Sequence, residues 1–225
     1  MNHGAEIGRK FAANGEVLRY PGNTVVADLP MESKACKTLC ALRNMLAKST
    51  VAEHYILLPE DSYHMTVIRG LNDAVRNALF WPAALALTAS LREMDAYVAQ
   101  AMLSIPMPRR LRMRFETVRA DETDLRVRLR AADEAQQAEL RNYRNQVADA
   151  LGLRLPEHDA YTYHITLAYT RLIPTGRDAA AVKTLEADMN RLLALEPAFE
   201  MAAPYIAFYE NMLHFSNRRE EGVQR

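Results

Sequence analysis

Two histidines stand in matching surroundings. Ser62-Tyr63-His64-Met65-Thr66-Val67 and Thr162-Tyr163-His164-Ile165-Thr166-Leu167 agree at every position, by identity or by a close chemical swap, and lie 100 positions apart. Histidine is the side chain whose ordinary pKa lies nearest neutrality, so it can both take and give a proton at pH 7. Two such groups on either side of one phosphate permit paired acid–base work. One neutral imidazole takes a proton from water, and the other, as imidazolium, protonates the departing alkoxide. Hydroxyl donors aimed at the non-bridging oxygens stabilise the charge that builds there, and Thr66 and Thr166 stand where such donors are needed.

The elements that must position these groups are strands. Both copies are rich in β-branched and aromatic residues and are bounded by Pro, Asp and Gly. Residues two apart on a strand share a face, about 6.6 Å from one another. His64 and Thr66 therefore share one face with Ser62 behind them, and His164 and Thr166 share one with Thr162. Tyr63, Met65 and Val67, like Tyr163, Ile165 and Leu167, take the opposite, apolar face. The approach recurs as well: Leu58-Pro59-Glu60 precedes the first copy and Leu155-Pro156-Glu157 the second. A repeat of this kind predicts two related halves that each lend one histidine to a shared site.

The paired His–hydrophobic–Thr–hydrophobic wording, His64-Met65-Thr66-Val67 and His164-Ile165-Thr166-Leu167, resembles the motifs of the 2H phosphoesterase superfamily. That group includes 2′,3′-cyclic nucleotide phosphodiesterases, bacterial 2′-5′ RNA ligase-like proteins and related RNA-end enzymes. Gly22-Asn23-Thr24-Val25-Val26 and Tyr163-His164-Ile165-Thr166-Leu167-Ala168-Tyr169 are similar to a less characterised branch, DUF1868. The likeness runs from about Lys10 to Phe215. It implies an α+β fold with a pseudo-twofold axis, antiparallel sheets facing a central groove, and helices outside. It also implies metal-independent hydrolysis or transesterification of a 2′,3′-cyclic phosphate or related phosphodiester, with no cofactor.

Composition sets bounds on this reading. The 225 residues are 49% hydrophobic and 25% charged, with 28 basic and 28 acidic side chains and a pI of about 7.0. That is an ordinary globular balance, and it disfavours a global, non-specific nucleic-acid footprint while leaving local patches open. Arginine outnumbers lysine, so much of the positive charge is a rigid fork suited to phosphate. Cys36 and Cys40 sit four apart on a predicted helix and read as small core residues, without a disulfide framework or zinc spacing. The polar N-terminus and the lack of a long apolar run lead to the expectation of a cytoplasmic protein without membrane partners.

Periodicity gives the remaining elements. Asn14-Gly15 marks a hairpin, Thr24–Ala27 a strand, 32–48 a helix, and 53–58 a strand. Pro82 and the stripe Leu87, Leu91, Met94, Val98 and Met102 predict a helix running to about Leu103. Leu111-Met113-Phe115 and Leu125-Val127-Leu129 alternate with arginines and predict a hairpin with one apolar and one arginine face. A long helix stops at Gly152, another follows Gly176, and Tyr205–Phe208 is a strand, with a further one at Leu213–Phe215. The tail 217–225 reads as frayed. The whole is taken as one bilobal domain, with lobes of about 20–105 and 106–215.

Further candidates for substrate contact are Asn23, Arg69, Arg112, Arg114, Arg126, Arg128, Arg171 and Tyr169. Tyr161, Tyr205 and Phe208 could stack on a base, although core packing explains each. His54, His158 and His214 lack the repeat context and read as structural. Two classes of function remain: an enzyme acting on nucleotide or RNA-end phosphate, or a groove that binds such an end without turnover. Retention of both histidines and both threonines favours the enzyme. A two-histidine metal site is poor without a third ligand.

Overall fold

The computed structural model describes residues 2–219. The first sheet has the order β3-β1-β8, built from β1 (Gly22–Asp28), β3 (His64–Asn72) and β8 (Tyr205–Tyr209). The second has the order β2-β6-β5-β4-β7, from β2 (Tyr55–Leu57), β4 (Leu111–Ala120), β5 (Asp124–Ala131), β6 (His164–Thr170) and β7 (Phe199–Met201). Every pairing is antiparallel. Among the described residues four α-helices complete the expected α+β architecture: α1 (Lys34–Ala47), α2 (Leu91–Met102), α3 (Glu134–Leu151) and α4 (Gly176–Leu193).

The repeat extends well beyond the two histidine motifs. In β1 and β3, Asp28 pairs with His64, Ala27 with Met65, Val26 with Thr66, Val25 with Ile68 and Thr24 with Arg69. In β5 and β6, Arg128 pairs with His164, Val127 with Ile165, Arg126 with Thr166, Leu125 with Ala168 and Asp124 with Tyr169. Each pair in one set is the other displaced by 100 positions, bulge included. The helices follow suit: α1 is capped by Ser33 and α3 by Asp133, each side chain accepting from the backbone N–H three residues on. β8 flanks β1 as β4 flanks β5, and α1 packs on α4 as α3 packs on α2. The sheets do not simply follow the chain's halves, since β8 joins the first sheet and β2 the second.

The apolar faces of both sheets and the inner stripes of the helices merge into one core. Leu39, Leu42 and Leu46 of α1 are fully buried in it, which contributes about 1.5–3 kcal/mol for each side chain. The outer edge of β4 is closed by α4, where Asn190 Oδ1 accepts from Val118 N (2.8 Å) and Glu186 Oε1 from Ala120 N (2.6 Å). Without those two acceptors, the strand would offer unpaired N–H groups to another chain. Gly152 ends α3 in a left-handed turn at φ 60°. No helix among the described residues is long and apolar enough to cross a membrane.

Three local expectations are corrected. The helix predicted from Pro82 begins only at Leu91, and residues 82–90 form turns. Ser90 makes a capping box there with Glu93, and Leu87, counted in the apolar stripe, is exposed. Residues 213–215 form no strand, because only Ser216 bridges back to Phe208. The tail is anchored as far as Arg219, whose guanidinium is ion-paired to Asp95 and Glu210 and donates to Gly22 O at 3.0 Å. The rest of the tail reading, 220–225, lies outside the described residues.

Candidate active site

The strand alternation that buries Met65, Val67, Ile165 and Leu167 turns His64, Thr66, His164 and Thr166 away from the core. β3 and β6 lie against one another, which brings the two motifs close enough for the charge of His164 to act on His64. Tyr161 links them: its hydroxyl donates to Thr66 O at 3.2 Å, while its ring lies 6.4 Å from that of His164. Arg144 of α3 stacks on the Tyr161 ring at 4.3 Å and donates to Val67 O (2.7 Å) and His158 O (2.7 Å), fixing the second motif's approach against the first motif's strand.

Both imidazoles are held in the same way. Nδ1 of His64 lies 2.8 Å from Ser62 O, and Nδ1 of His164 lies 3.1 Å from Thr162 O. A carbonyl oxygen can only accept, so Nδ1 carries the hydrogen in each ring and Nε2 is left as the reactive nitrogen. Among the described residues neither Nε2 has a partner, and neither Thr66 nor Thr166 uses its hydroxyl. Burial pushes His64 down to about 4, against the pull of the Ser62 carbonyl, and the charge of His164 lowers it further. Burial also lowers His164; its bond to Thr162 opposes the shift, and Arg126, Arg128 and Lys10 add to it. Burial thus favours the neutral form of both rings. An arriving phosphate anion is what would restore a proton to one of them.

The two half-sites differ in what surrounds the histidine. His64 is stacked by Phe215 at 4.2 Å, Phe215 in turn by Tyr209 at 4.8 Å, and the cross-strand neighbour Asp28 accepts from the Tyr205 hydroxyl at 3.3 Å. Burial raises Asp28, with the Tyr205 bond opposing. Across from His164 stands Arg128. Its Nε is buried without a partner, and among the described residues its guanidinium forms no ion pair. Arg128 is half-buried, and a buried N–H without a partner costs stability unless a ligand completes it.

The other sequence candidates divide. Arg126 shares the face of Thr166, but its charge is taken up by Asp121 (2.7 Å) and Asp124. Asn23 is not in the groove; it is buried, takes Leu71 N on Oδ1 (2.8 Å) and donates to Asp95 (2.9 Å), filling an irregularity in the β1–β3 ladder. Arg69 pairs with Glu157 beside Phe80, and Arg171 donates to Glu53 O at 3.0 and 2.8 Å. Tyr169 packs on Phe11 at 5.0 Å with the Lys10 ammonium 5.0 Å over its ring, so no base can stack there. Arg112 lies farther along β4 and pairs with Asp133 at 3.7 Å. Arg114 and Arg130 are exposed and face each other across the hairpin. His54 and His158 are structural, held by Asp178 (3.2 Å) and Asn145 (2.9 Å). Phe215, Asp28 and Lys10 were not anticipated, since no local pattern brings residues from the chain's two ends to a repeat in its middle. Among the described residues no three His, Cys, Asp or Glu side chains are grouped to hold a metal ion.

Comparison with known proteins gives one family. The sequence profile of 2H-phosphodiest, described as a domain of unknown function (DUF1868), matches residues 10–124. No curated protein matches the chain. A conserved protein of unknown function, ATU0111 from Agrobacterium tumefaciens strain C58, is similar in structure at TM-score 0.86. It is 26% identical, over 96% of this chain and 91% of that one. Looser likenesses are a crystal structure titled phosphoesterase (TM-score 0.49, 12% identity, 84% of this chain and 87% of that) and Usb1 of Kluyveromyces marxianus (0.42, 9%, 84% and 94%).

Proposed function

This chain belongs to the 2H-phosphodiest family, described as a domain of unknown function (DUF1868), and on that premise we propose a two-histidine phosphoesterase acting on a 2′,3′-cyclic phosphate or a related nucleotide or RNA-end phosphodiester. Membership supports phosphodiesterase-type chemistry; the substrate and the division of labour are our reading. The observation that carries it is the matched pair of imidazoles on neighbouring strands, each with Nδ1–H tied to the carbonyl two residues back and Nε2 unengaged. A binding groove would not need two identically prepared proton carriers.

In this reading His64, the more strongly depressed of the two, is the base. Its Nε2 takes a proton from water as the water oxygen bonds to phosphorus. The bond from phosphorus to the 2′ or 3′ oxygen breaks, and His164, charged once the phosphate is bound, gives its Nε2 proton to that oxygen. Thr66 and Thr166 donate to the non-bridging oxygens, and Arg128 supplies the fixed charge that offsets the growing negative charge beside His164. All proton transfers run through side chains of the two lobes, about 20–105 and 106–215, and no step calls for a metal or cofactor.

The test is a panel of 2′,3′-cyclic mononucleotides and cyclic-phosphate-ended oligoribonucleotides assayed with EDTA present. Turnover of at least one, unchanged by EDTA, is expected. Tight binding of a cyclic phosphate without turnover would replace the enzyme with a binding module.

A further inference from the structure

Beyond the groove, the arginine face of the β4–β5 hairpin is unequally used. Arg126 is neutralised by two aspartates and Arg112 by Asp133. Between them Arg128, Arg130 and Arg114 have no ion pair among the described residues. Arg130 follows Arg128 by two residues on β5, hence on the same face and about 6.6 Å farther along. Arg114 lies directly opposite Arg130. Like charges directly opposite on a sheet are destabilising, and neither arginine makes an ion pair among the described residues. The three cations form a continuous line that starts beside His164. It ends where Arg112 meets Asp133 and Glu200.

We propose that this line is a binding track for the phosphodiester backbone of a single-stranded RNA whose 3′ end lies in the groove. The inference rests on the phosphoesterase reading and narrows its substrate to an oligonucleotide. Phosphate is the fitting partner because guanidinium forks take its oxygens two at a time and because Arg114 and Arg130 are exposed and unmatched. The aromatic groups lie at the other half-site, where Phe215 and Tyr209 flank His64. The terminal nucleoside therefore faces the aromatic half, and the preceding backbone leaves over the arginines. The track takes about three phosphates, so affinity rises with each of the first three or so nucleotides and then levels off.

The experiment measures binding and turnover separately. Oligoribonucleotides of one to eight residues ending in a 3′-phosphate, which the reaction does not consume, are titrated at several salt concentrations. The unaltered protein is compared with Arg114→Gln/Arg130→Gln. The expected result is a plateau near three residues and a loss of about tenfold or more in octamer affinity in the variant. The salt slope should fall by about 1.4, at roughly 0.7 for each single-strand phosphate that is no longer neutralised. The ratio of kcat/KM for a cyclic-ended octamer to that for a cyclic mononucleotide falls with it. Equal affinity for monomer and octamer, an unchanged slope, or equally tight binding of a polyglutamate control would overturn the track. Loss of turnover on every substrate, with the length dependence intact, would instead fault the phosphoesterase reading alone.

Discussion

The His64 and His164 half-sites share one backbone and opposite chemistry. Strand register, bulge position, helix cap and the imidazole's bond to the carbonyl two residues back all repeat with a displacement of 100 positions. At the position across from the histidine the first half has Asp28 and the second has Arg128. One position along the same face stand Val26 and Arg126. The first half is lined by Phe215, Tyr209 and Tyr205, and the second by cations. The same frame occurs twice, and the side chains on one face give it a cationic end and an aromatic end. A phosphate bridged between two equivalent histidines would have no preferred direction, whereas here the surroundings impose one.

The sharpest way to test this comparison is to remove each histidine. His64→Ala and His164→Ala are each expected to lower kcat by about 10²–10⁴-fold, the range of a positioned proton transfer. The double variant should lose far less than the product of the two, because acid and base act as a unit. Full multiplicativity in steady-state kinetics would show two independent sites rather than one.

Next in size is the contrast between two neighbouring arginines. Arg128→Gln removes an unpaired charge beside the reacting phosphate and is expected to cost about 10–10²-fold in kcat/KM, the worth of a charged hydrogen bond. Arg126→Gln should do less to activity and more to the melting temperature. It strips the buried Asp124, which burial already raises to about 6, of the cation that opposes that shift. The reverse ranking would mean that the ion-paired arginine is the one that binds.

The pH profile sharpens the assignment of base and acid. In the free enzyme both imidazoles are depressed, so kcat/KM should form a bell on the acid side of the ordinary histidine value of about 6.5, its lower limb near 4 from His64. Bound phosphate favours the charged imidazole, so the kcat profile should move to higher pH. Coincident profiles centred at neutrality would remove the role of burial.

The smallest effect is expected at Asp28. Asn keeps the oxygen that accepts from Tyr205, so Asp28→Asn should change kcat/KM by no more than about threefold. A loss as large as that of Arg128→Gln would make the two halves functionally as well as structurally equivalent.

The hexapeptide repeat made the pair of strands and their polar faces legible in the sequence, because a two-residue period fixes which side chains share a face. The arginine stripe was legible for the same reason. The wider repeat was not: Val26 and Arg126, or Asp28 and Arg128, share no chemistry, and only backbone register equates them. Asn23 was misplaced because a buried amide in a ladder irregularity looks, in sequence, like any polar residue at the start of a strand. Tyr169 sits within the second motif's wording yet is covered by Phe11 and Lys10, from a segment more than 150 positions away. The start of α2 was legible but overridden: Ser90-Leu91-Arg92-Glu93 is a capping-box signature, and an apolar stripe that happened to continue upstream hid it.

β8 has a consequence for how the chain is made. Its partner strand β1, with Val25 and Val26 buried, is synthesised well before it, with every strand of the second sheet made in between. The second sheet's central strands follow one another directly, through a tight hairpin. On the ribosome the first sheet must therefore wait as a two-stranded piece, the β1 edge open, until β8 has emerged. Pairings so distant in sequence are slow to form, and an unpaired hydrophobic edge invites pairing with other chains meanwhile. The half that holds His64 is the later to mature, and a ribosome that stalls before Tyr205 would release a chain with one finished histidine strand and one sticky one.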